Sequence, residues 1–352
     1  MNTLDVTGTA LWQDMCETPE TVAASLDAAT GHGELARLLA SHRTGRIVAT
    51  GNGASFYVAT ALWLASLSAQ LPAPVVAVPA GLLATDTFTL RPDDLLLAFS
   101  ASGELRDLIE IATDPQRSGA LGLVTSTPSS TLAAQADAVA LVEVRNQRAV
   151  THTQAYLGAA AVALDVLGRA SGDSSLRAAA DTMSTALSAQ LVGAVQWADE
   201  AAEDLAHPRA AVVFGTGQAL VAASEAALLL KEVAGLPAEG METREGATSG
   251  MYALGRDQLV LALPVGSDPL AEEAVAICSG TGAAVLTAPW PHGLDRKCAV
   301  AAHFAHPLAL AVRVALAQGH DPDNPNWYAT YKSTARVAVE QVPQPPLTGP
   351  GR

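Results

Sequence analysis

Short apolar runs alternate with longer segments of helical periodicity along most of the chain. In the first half the runs are continuously apolar, which predicts parallel strands buried on both faces by helices. The predicted strands are 46–50, 74–79, 94–100, 120–126 and 138–144. Helices are predicted over 34–41 and 153–168, and another is predicted to begin at Pro19 and continue over 21–29.

The same alternation restarts in the second half, with predicted strands at 210–214, 258–264 and 283–288. A polar-faced helical segment over 173–206 separates the two halves. This internal duplication predicts an α/β fold in two similar units. The predicted divisions are N-terminal helices over 1–45, a first domain over 46–170, a helical linker over 171–206, a second domain over 207–335 and a Pro- and Gly-rich tail over 336–352.

Composition limits the possible functions. The 352 residues are 49% hydrophobic and carry a formal net charge of −15, so nucleic-acid binding is not expected. The three cysteines, Cys16, Cys278 and Cys298, show neither metal-ligand spacing nor a disulfide pattern, which fits a reducing cytoplasm. The first residues lack the basic and apolar regions of a signal peptide, and no membrane association is expected.

Three loops that follow predicted strands are rich in glycine and small hydroxyl residues: 51–55, 100–104 and 125–130. Ligands of an open parallel sheet bind beyond the carboxyl ends of its strands. Backbone amides, helix N-termini and Ser or Thr hydroxyls can hold a phosphate there without a cation. Any one loop could merely cap a helix, but three at one sheet edge predict a phosphate site.

These motifs resemble the SIS (sugar isomerase) domain family, which includes the isomerase half of glucosamine-6-phosphate synthase, amino-sugar-phosphate deaminases and ketose/aldose isomerases. The resemblance covers nearly the whole chain. The matching segments are 15–19 (MCETP), 50–55 (TGNGAS), 100–104 (SASGE), 151–156 (THTQAY), 225–232 (EAALLLKE) with the following Ala238-Glu239, and 319–325 (GHDPDNP). The resemblance implies two tandem SIS domains, each a three-layer αβα sandwich with a parallel flavodoxin-like sheet, in a homodimer with a shared active site.

The resemblance implies two catalytic residues, Glu232 and Lys332. Glu232 would move a proton between C1 and C2 of a sugar phosphate, and Lys332 would lie near these carbons. Aldose–ketose interconversion needs one carboxylate with a raised pKa, and Glu232 ends an apolar helical run where it can be buried. It could instead be a solvated residue of the last helical turn. The substrate-binding residues are expected to be Gly53, Ala54, Ser55, Ser100, Ser102, His152, Thr153, Thr248 and Arg313.

Several positions depart from the family pattern. Thr248 stands where the ring-opening histidine of the family is expected, and threonine cannot act as an acid or base near neutral pH. Leu105, Gln154 and Leu229 replace polar contacts of the family. His152 either compensates for the missing histidine or is a buried structural residue. Arg313, on an otherwise apolar helix, either binds an anion or pairs with an acidic residue at a subunit contact.

The sequence therefore supports two hypotheses about function. The first is an isomerase, or an amino-sugar-phosphate deaminase or deglycase, that needs neither a metal nor a cofactor and lacks the glutaminase half of the synthase. The substrate would be a sugar phosphate or a related anionic sugar. The second is a non-catalytic sensor or regulator that binds a phosphosugar. Loss of the histidine favours the second function, whereas Glu232 and Lys332 favour the first.

Overall fold

Nine strands in two parallel sheets, flanked by helices, are found in residues 5–85, 87–114, 119–203, 205 and 208–325, the part of the chain that this computed structural model describes. The strands of the first sheet are β1 (Ile47–Gly51), β2 (Val75–Pro79), β3 (Leu95–Phe99), β4 (Leu121–Thr125) and β5 (Ala138–Leu141). Those of the second are β6 (Ala210–Gly215), β7 (Ala238–Glu242), β8 (Gln258–Leu263) and β9 (Ala284–Thr287).

The helices connect the strands and cover both faces of each sheet. Those of the first half are α1 (Ala10–Ala28), α2 (His32–Ser41), α3 (Ala54–Ser66), α4 (Ala80–Ala84), α5 (Arg106–Thr113) and α6 (Thr153–Ser171). The remaining helices are α7 (Ser174–Glu203), α8 (Gln218–Ala234), α9 (Thr243–Thr248), α10 (Pro269–Ser279), α11 (Ala299–Ala302) and α12 (Ala305–Ala317).

The two sheets share one strand order. The first runs β2-β1-β3-β4-β5, and the second runs β7-β6-β8-β9, which is the same order with no fifth strand among the described residues. This is the doubly wound arrangement in which the first strand lies between the second and the third. Every residue of β1, β3 and β4 is buried, which explains their continuous apolar sequences. The α/β class with parallel sheets is therefore confirmed.

One strand of the second sheet was not predicted. β7 has the sequence AEGME and lies at the sheet edge, paired with β6 in parallel from Ala211 opposite Ala238 to Gly215 opposite Glu242. An edge strand buries less of its surface, so it does not need the apolar run that marks the central strands. A side chain at Gly240 would place its Cβ 2.5 Å from Cα of Ser224, so glycine lets α8 pack directly on β7.

Helix α1 is longer than predicted and passes through Pro19 instead of beginning there. Two residues accept hydrogen bonds from its N-terminal N–H groups, one just before the helix and one near the end of the described chain. The hydroxyl of Thr9 accepts from the N–H of Trp12, and the carboxylate of Asp323 accepts from the N–H groups of Ala10 and Leu11 at 2.8 Å each. Asp323 thus satisfies two of the donors that a helix N-terminus leaves unpaired.

One continuous apolar core joins the two halves. It includes residues of both sheets and of α1, α6, α7, α8 and α12. The predicted linker is α7, which bends at Val192 and Gly193, where the backbone leaves the helical conformation. Among the described residues, the helical stretch Arg296–Ala317 is long and apolar enough to span a membrane, but 89% of its most apolar window is buried inside the protein. That burial is typical of a core helix in a soluble protein.

Candidate functional site

A cavity of about 120 Å³ lies at the carboxyl edge of the first sheet, where β1, β3 and β4 end. The loops 51–55, 100–104 and 125–130 contribute to its wall, as the sequence predicted. The polar side chains of the lining are those of Asn52, Ser55, Ser100, Thr125, Ser126, His152 and Tyr156. Helix α3 begins at this wall, so its positive end can favour a bound anion.

The cavity wall depends on the close approach of two loops. The N–H and hydroxyl of Ser126 and the hydroxyl of Thr125 donate to the carbonyl of Ala101, at 3.2, 2.8 and 3.0 Å respectively. Gly103 has a φ of +64° and lies so close to Ser130 that a Cβ would come within 2.0 Å of Oγ. The glycine therefore fits the left-handed turn and leaves room for the second loop.

The segment that precedes α6 is held in place by Asp14 of α1, which is fully buried. Its carboxylate accepts four hydrogen bonds: from Nε2 of Gln147 at 2.8 Å, from N and Nη1 of Arg148 at 2.8 and 2.9 Å, and from the N–H of Ala149 at 2.8 Å. The same segment continues into His152, which lines the cavity. Asp14 therefore fixes one wall of the site from a distant helix.

Replacing Asp14 by Ala is expected to lower the free energy of unfolding by about 3 kcal/mol, because the substitution leaves the buried N–H of Ala149 and the partly buried N–H of Arg148 without their acceptor and removes a charge partner of Arg148. Equilibrium unfolding in urea measures this loss. The matched control is Glu17→Ala. Glu17 also pairs with Arg148, but at the surface, so its loss should cost less than about 1 kcal/mol. Equal effects of the two substitutions would contradict the anchoring role of Asp14.

Glu232 extends from the second half toward this site. It lies in the last turn of α8, half-buried, beside the hydroxyl of Thr151. Burial raises its pKa to about 7, although the ammonium of Lys231 and the hydroxyl of Thr151 act in the opposite direction. A carboxyl group with this pKa can accept and return a proton near neutral pH. Glu232 is therefore not a fully solvated residue, although it lies in the last turn of the helix.

A second carboxyl group, Glu225, lies two turns earlier on α8 and is buried. Burial raises its pKa well above the ordinary value, and the charge of Glu232 raises it further. Tyr57 of α3 and Tyr156 of α6 lie near this pair, and burial followed by the charge of Glu225 raises the pKa of both hydroxyls. Glu225 and Tyr156 both lie in segments that resemble the SIS family, but the resemblance implied no role for either residue.

The predicted binding residues fall into two groups. Ala54, Ser55, Ser100 and His152 line the cavity. His152 is exposed at the cavity rim and is not a buried structural residue. Partial desolvation of its ring nevertheless lowers its pKa, and the charge of Asp14 opposes this shift. Gly53 adjoins the lining residues as the N-cap of α3.

The other predicted binding residues lie apart from the cavity lining. Ser102 is exposed, and its hydroxyl accepts from the N–H of Glu104. Thr153 is buried and accepts from the hydroxyl of Thr18 at 3.3 Å. Thr248 is exposed on α9 and donates to the carbonyl of Arg244. Arg313 pairs with Asp199 of the same chain at 2.9 Å, and Lys332 lies outside the described residues.

The cavity contains hydroxyl, amide and imidazole groups but no cluster typical of a metal centre. Within the described ranges, no group of three or more His, Cys, Asp or Glu side chains could hold a metal ion. The three cysteines are free thiols, with Cys16 exposed and the other two buried. The cavity lining offers neutral hydrogen-bond donors to an anion.

Comparison with known proteins supports the fold. No protein-family model matches the chain. A glutamine–fructose-6-phosphate aminotransferase (isomerizing) of Streptococcus pyogenes serotype M1 is 29% identical over 220 residues, which are 59% of this chain and 36% of that protein. The chain therefore aligns with only about a third of the curated relative.

Two solved structures cover most of both chains. The C-terminal domain of glucosamine-fructose-6-phosphate aminotransferase from Francisella tularensis matches with a TM-score of 0.73 and 20% identity, over 90% of this chain and 98% of its own. Glucosamine-6-phosphate deaminase from Thermotoga maritima matches with a TM-score of 0.69 and 18% identity, over 87% and 97%. The chain therefore has the α/β fold that these solved sugar-phosphate enzymes share.

Proposed function

We propose that this chain is an aldose/ketose isomerase, or an amino-sugar-phosphate deaminase or deglycase, that acts on a sugar phosphate or a related anionic sugar. The observation that carries the proposal is the position of Glu232. A carboxyl group with a pKa of about 7 lies next to Thr151, whose neighbour His152 lines a hydroxyl-rich cavity at the sheet edge. This arrangement supports anion binding and proton transfer at one site.

The chemistry follows from these groups. The anionic group of the sugar binds in the cavity, where Ser55, Ser100 and the start of α3 offer neutral donors. The ionised carboxylate of Glu232 takes the proton from C2 of the open-chain aldose, which leaves an enediolate with its negative charge on O1. The O2 hydroxyl proton moves to O1, and the carboxyl group returns its proton to C1, which gives the ketose without net change in atoms or charge.

The proposal extends to the assembly. We infer that each sheet with its helices forms one of two tandem SIS domains, at 46–170 and 207–335, and that two chains form a homodimer in the cytoplasm. A dimer would also offer a place for Thr248, which is exposed and apart from the cavity lining of its own chain. Lys332 remains a candidate for the second catalytic group.

Hydrogen exchange in D₂O tests the proposed reaction. We expect the protein to exchange a C1 hydrogen of fructose 6-phosphate or the C2 hydrogen of glucosamine 6-phosphate, because formation of the enediol or its amino equivalent exposes that hydrogen to solvent. Proton NMR follows the loss of the signal. Tight binding of either sugar without any exchange would contradict an enzymatic role.

That contrary result would favour the second candidate, a phosphosugar-binding sensor without turnover. One observation favours this alternative. Thr248 stands where the family resemblance places a ring-opening histidine, and its hydroxyl is engaged with the carbonyl of Arg244. His152 at the cavity rim is the imidazole that could replace it in the isomerase.

A further inference from the structure

Two polar groups beside the candidate site are buried without a described partner. Oε2 of Glu225 and the hydroxyl of Tyr156 make no hydrogen bond to any residue that the structure describes. Each residue exposes only 4% of its surface. Tyr156 also lines the cavity, so it connects the cavity with the region around Glu225. Buried groups of this kind are costly unless a ligand or another group satisfies them.

The surroundings of Glu225 contain negative and aromatic groups but no cation among the described residues that act on it. Glu232 is the charged group that raises its pKa, and the rings of Tyr57 and Tyr156 lie nearby on α3 and α6. Leu229, one turn later on α8, is apolar and almost fully buried. The nearest lysine on the helix, Lys231, is exposed.

A primary ammonium group fits this combination. It offers three hydrogen-bond donors and no acceptor, so it can satisfy a carboxylate and a tyrosine hydroxyl at once. Its charge offsets the cost of ionising a buried carboxyl group, and aromatic rings favour a cation at their faces. A sugar hydroxyl supplies one donor and no charge, so it would leave the charge of an ionised Glu225 uncompensated.

We propose that Glu225 binds the amino group of an amino-sugar phosphate and so selects amino sugars over sugars that carry a hydroxyl at the same carbon. This inference rests on the proposed function, because it assumes that the anionic group of the sugar occupies the cavity beside Tyr156. Glu232 remains the group that moves the proton. The two carboxyl groups thus have separate tasks, recognition at Glu225 and proton transfer at Glu232.

Isothermal titration with glucosamine 6-phosphate and glucose 6-phosphate tests the proposal, because the two sugars differ only in the group at C2. We expect the wild-type protein to bind the amino sugar at least about 30-fold more tightly, as charge-assisted hydrogen bonds are markedly stronger than neutral ones. In Glu225→Gln this ratio should fall below about 3, while the affinity for glucose 6-phosphate changes little. Retained binding of glucose 6-phosphate also shows that the variant is folded.

The matched control is Glu200→Gln, the same substitution at an exposed position of α7, which should leave the ratio unchanged. Three results would overturn the inference: a wild-type ratio near 1, a ratio that survives in Glu225→Gln, or an equal loss of affinity for both sugars in that variant. Hydrogen exchange into the sugar separates failure of this inference from failure of the proposed function. If the sugar exchanges its hydrogen but Glu225→Gln has the same affinity ratio as the wild type, only the amine site is refuted. If the wild type prefers the amino sugar but exchanges no hydrogen, only the enzymatic function is refuted, and if neither sugar binds, both are refuted.

Discussion

Glu232→Gln is expected to lower the rate of sugar hydrogen exchange by about 10³-fold while the dissociation constant for the sugar changes less than about threefold. Glutamine preserves the size of the side chain and can hydrogen-bond with Thr151, but it cannot accept the carbon-bound proton. NMR exchange rates and titration calorimetry measure the two quantities. Comparable exchange rates in the variant and the wild type would show that another group is the base.

The pH dependence of the wild-type protein provides a second measurement of the same role. Because the base must be ionised, the exchange rate should rise with pH and reach half its maximum near pH 7, where burial places the pKa of Glu232. Lys231, Glu225 and Tyr57 are the titratable groups that interact with it. A flat profile between pH 5 and pH 8 would contradict the assignment.

Thermal unfolding is the folding control for Glu232→Gln, and the pKa of Glu232 predicts the sign of the stability change. The pKa of Glu232 is higher in the folded protein than the usual 4.5, so the folded state binds the proton more tightly. Its contribution to stability is therefore present at low pH and decreases as the pH rises from about 4.5 through 7. Glu232→Gln should consequently be at least as stable as the wild type at pH 8, and a lost activity there cannot be ascribed to unfolding.

Ser55→Asp is expected to weaken the binding of a sugar phosphate by about 10³-fold. Ser55 lines the cavity in the first turn of α3, so the new carboxylate would face the bound phosphate. Two unit charges about 4 Å apart repel each other by about 4 kcal/mol at the effective dielectric of a protein surface. Calorimetric titration with fructose 6-phosphate measures the loss. The helix itself should tolerate the change, since an acidic residue near a helix N-terminus is favourable.

Ser174→Asp is the matched control for this charge. Ser174 is exposed and opens α7, so the substitution adds the same group near a helix N-terminus without facing the cavity. Binding should be unchanged. If Ser55→Asp also binds fructose 6-phosphate normally, the phosphate does not occupy this cavity, and the site must be sought elsewhere on the protein.

Much of the fold could be predicted from the sequence because burial determines which side chains a central strand can carry. The continuous apolar runs of β1, β3 and β4 and the loops that follow them led directly to a cavity that contains Ser55 and Ser100. The polar sequence of β7 carried no such signal, since its parallel backbone pairing with β6 places it at a sheet edge.

The parts of the site that could not be predicted depend on contacts between distant residues. Asp14 holds the segment before α6 across more than 130 positions, and Arg313 pairs with Asp199, which is 114 positions away. Thr153 lies in a segment that resembles a family motif, yet it is absent from the cavity lining and accepts a hydrogen bond from Thr18. Periodicity describes which face of an element is buried, but it does not specify which distant residue meets that face.

The cap on α1 has a consequence for the order of synthesis. Asp323 is 313 positions from Ala10. The first N–H groups of α1 therefore lack this acceptor until nearly all of the described chain has left the ribosome. The first sheet contains only residues that emerge much earlier and can pair before that time. A nascent chain that stops before Asp323 should therefore contain an ordered first sheet with a frayed α1, the helix that carries Asp14. The N–H groups of Ala10 and Leu11 would then gain their acceptor only when translation of this region is complete.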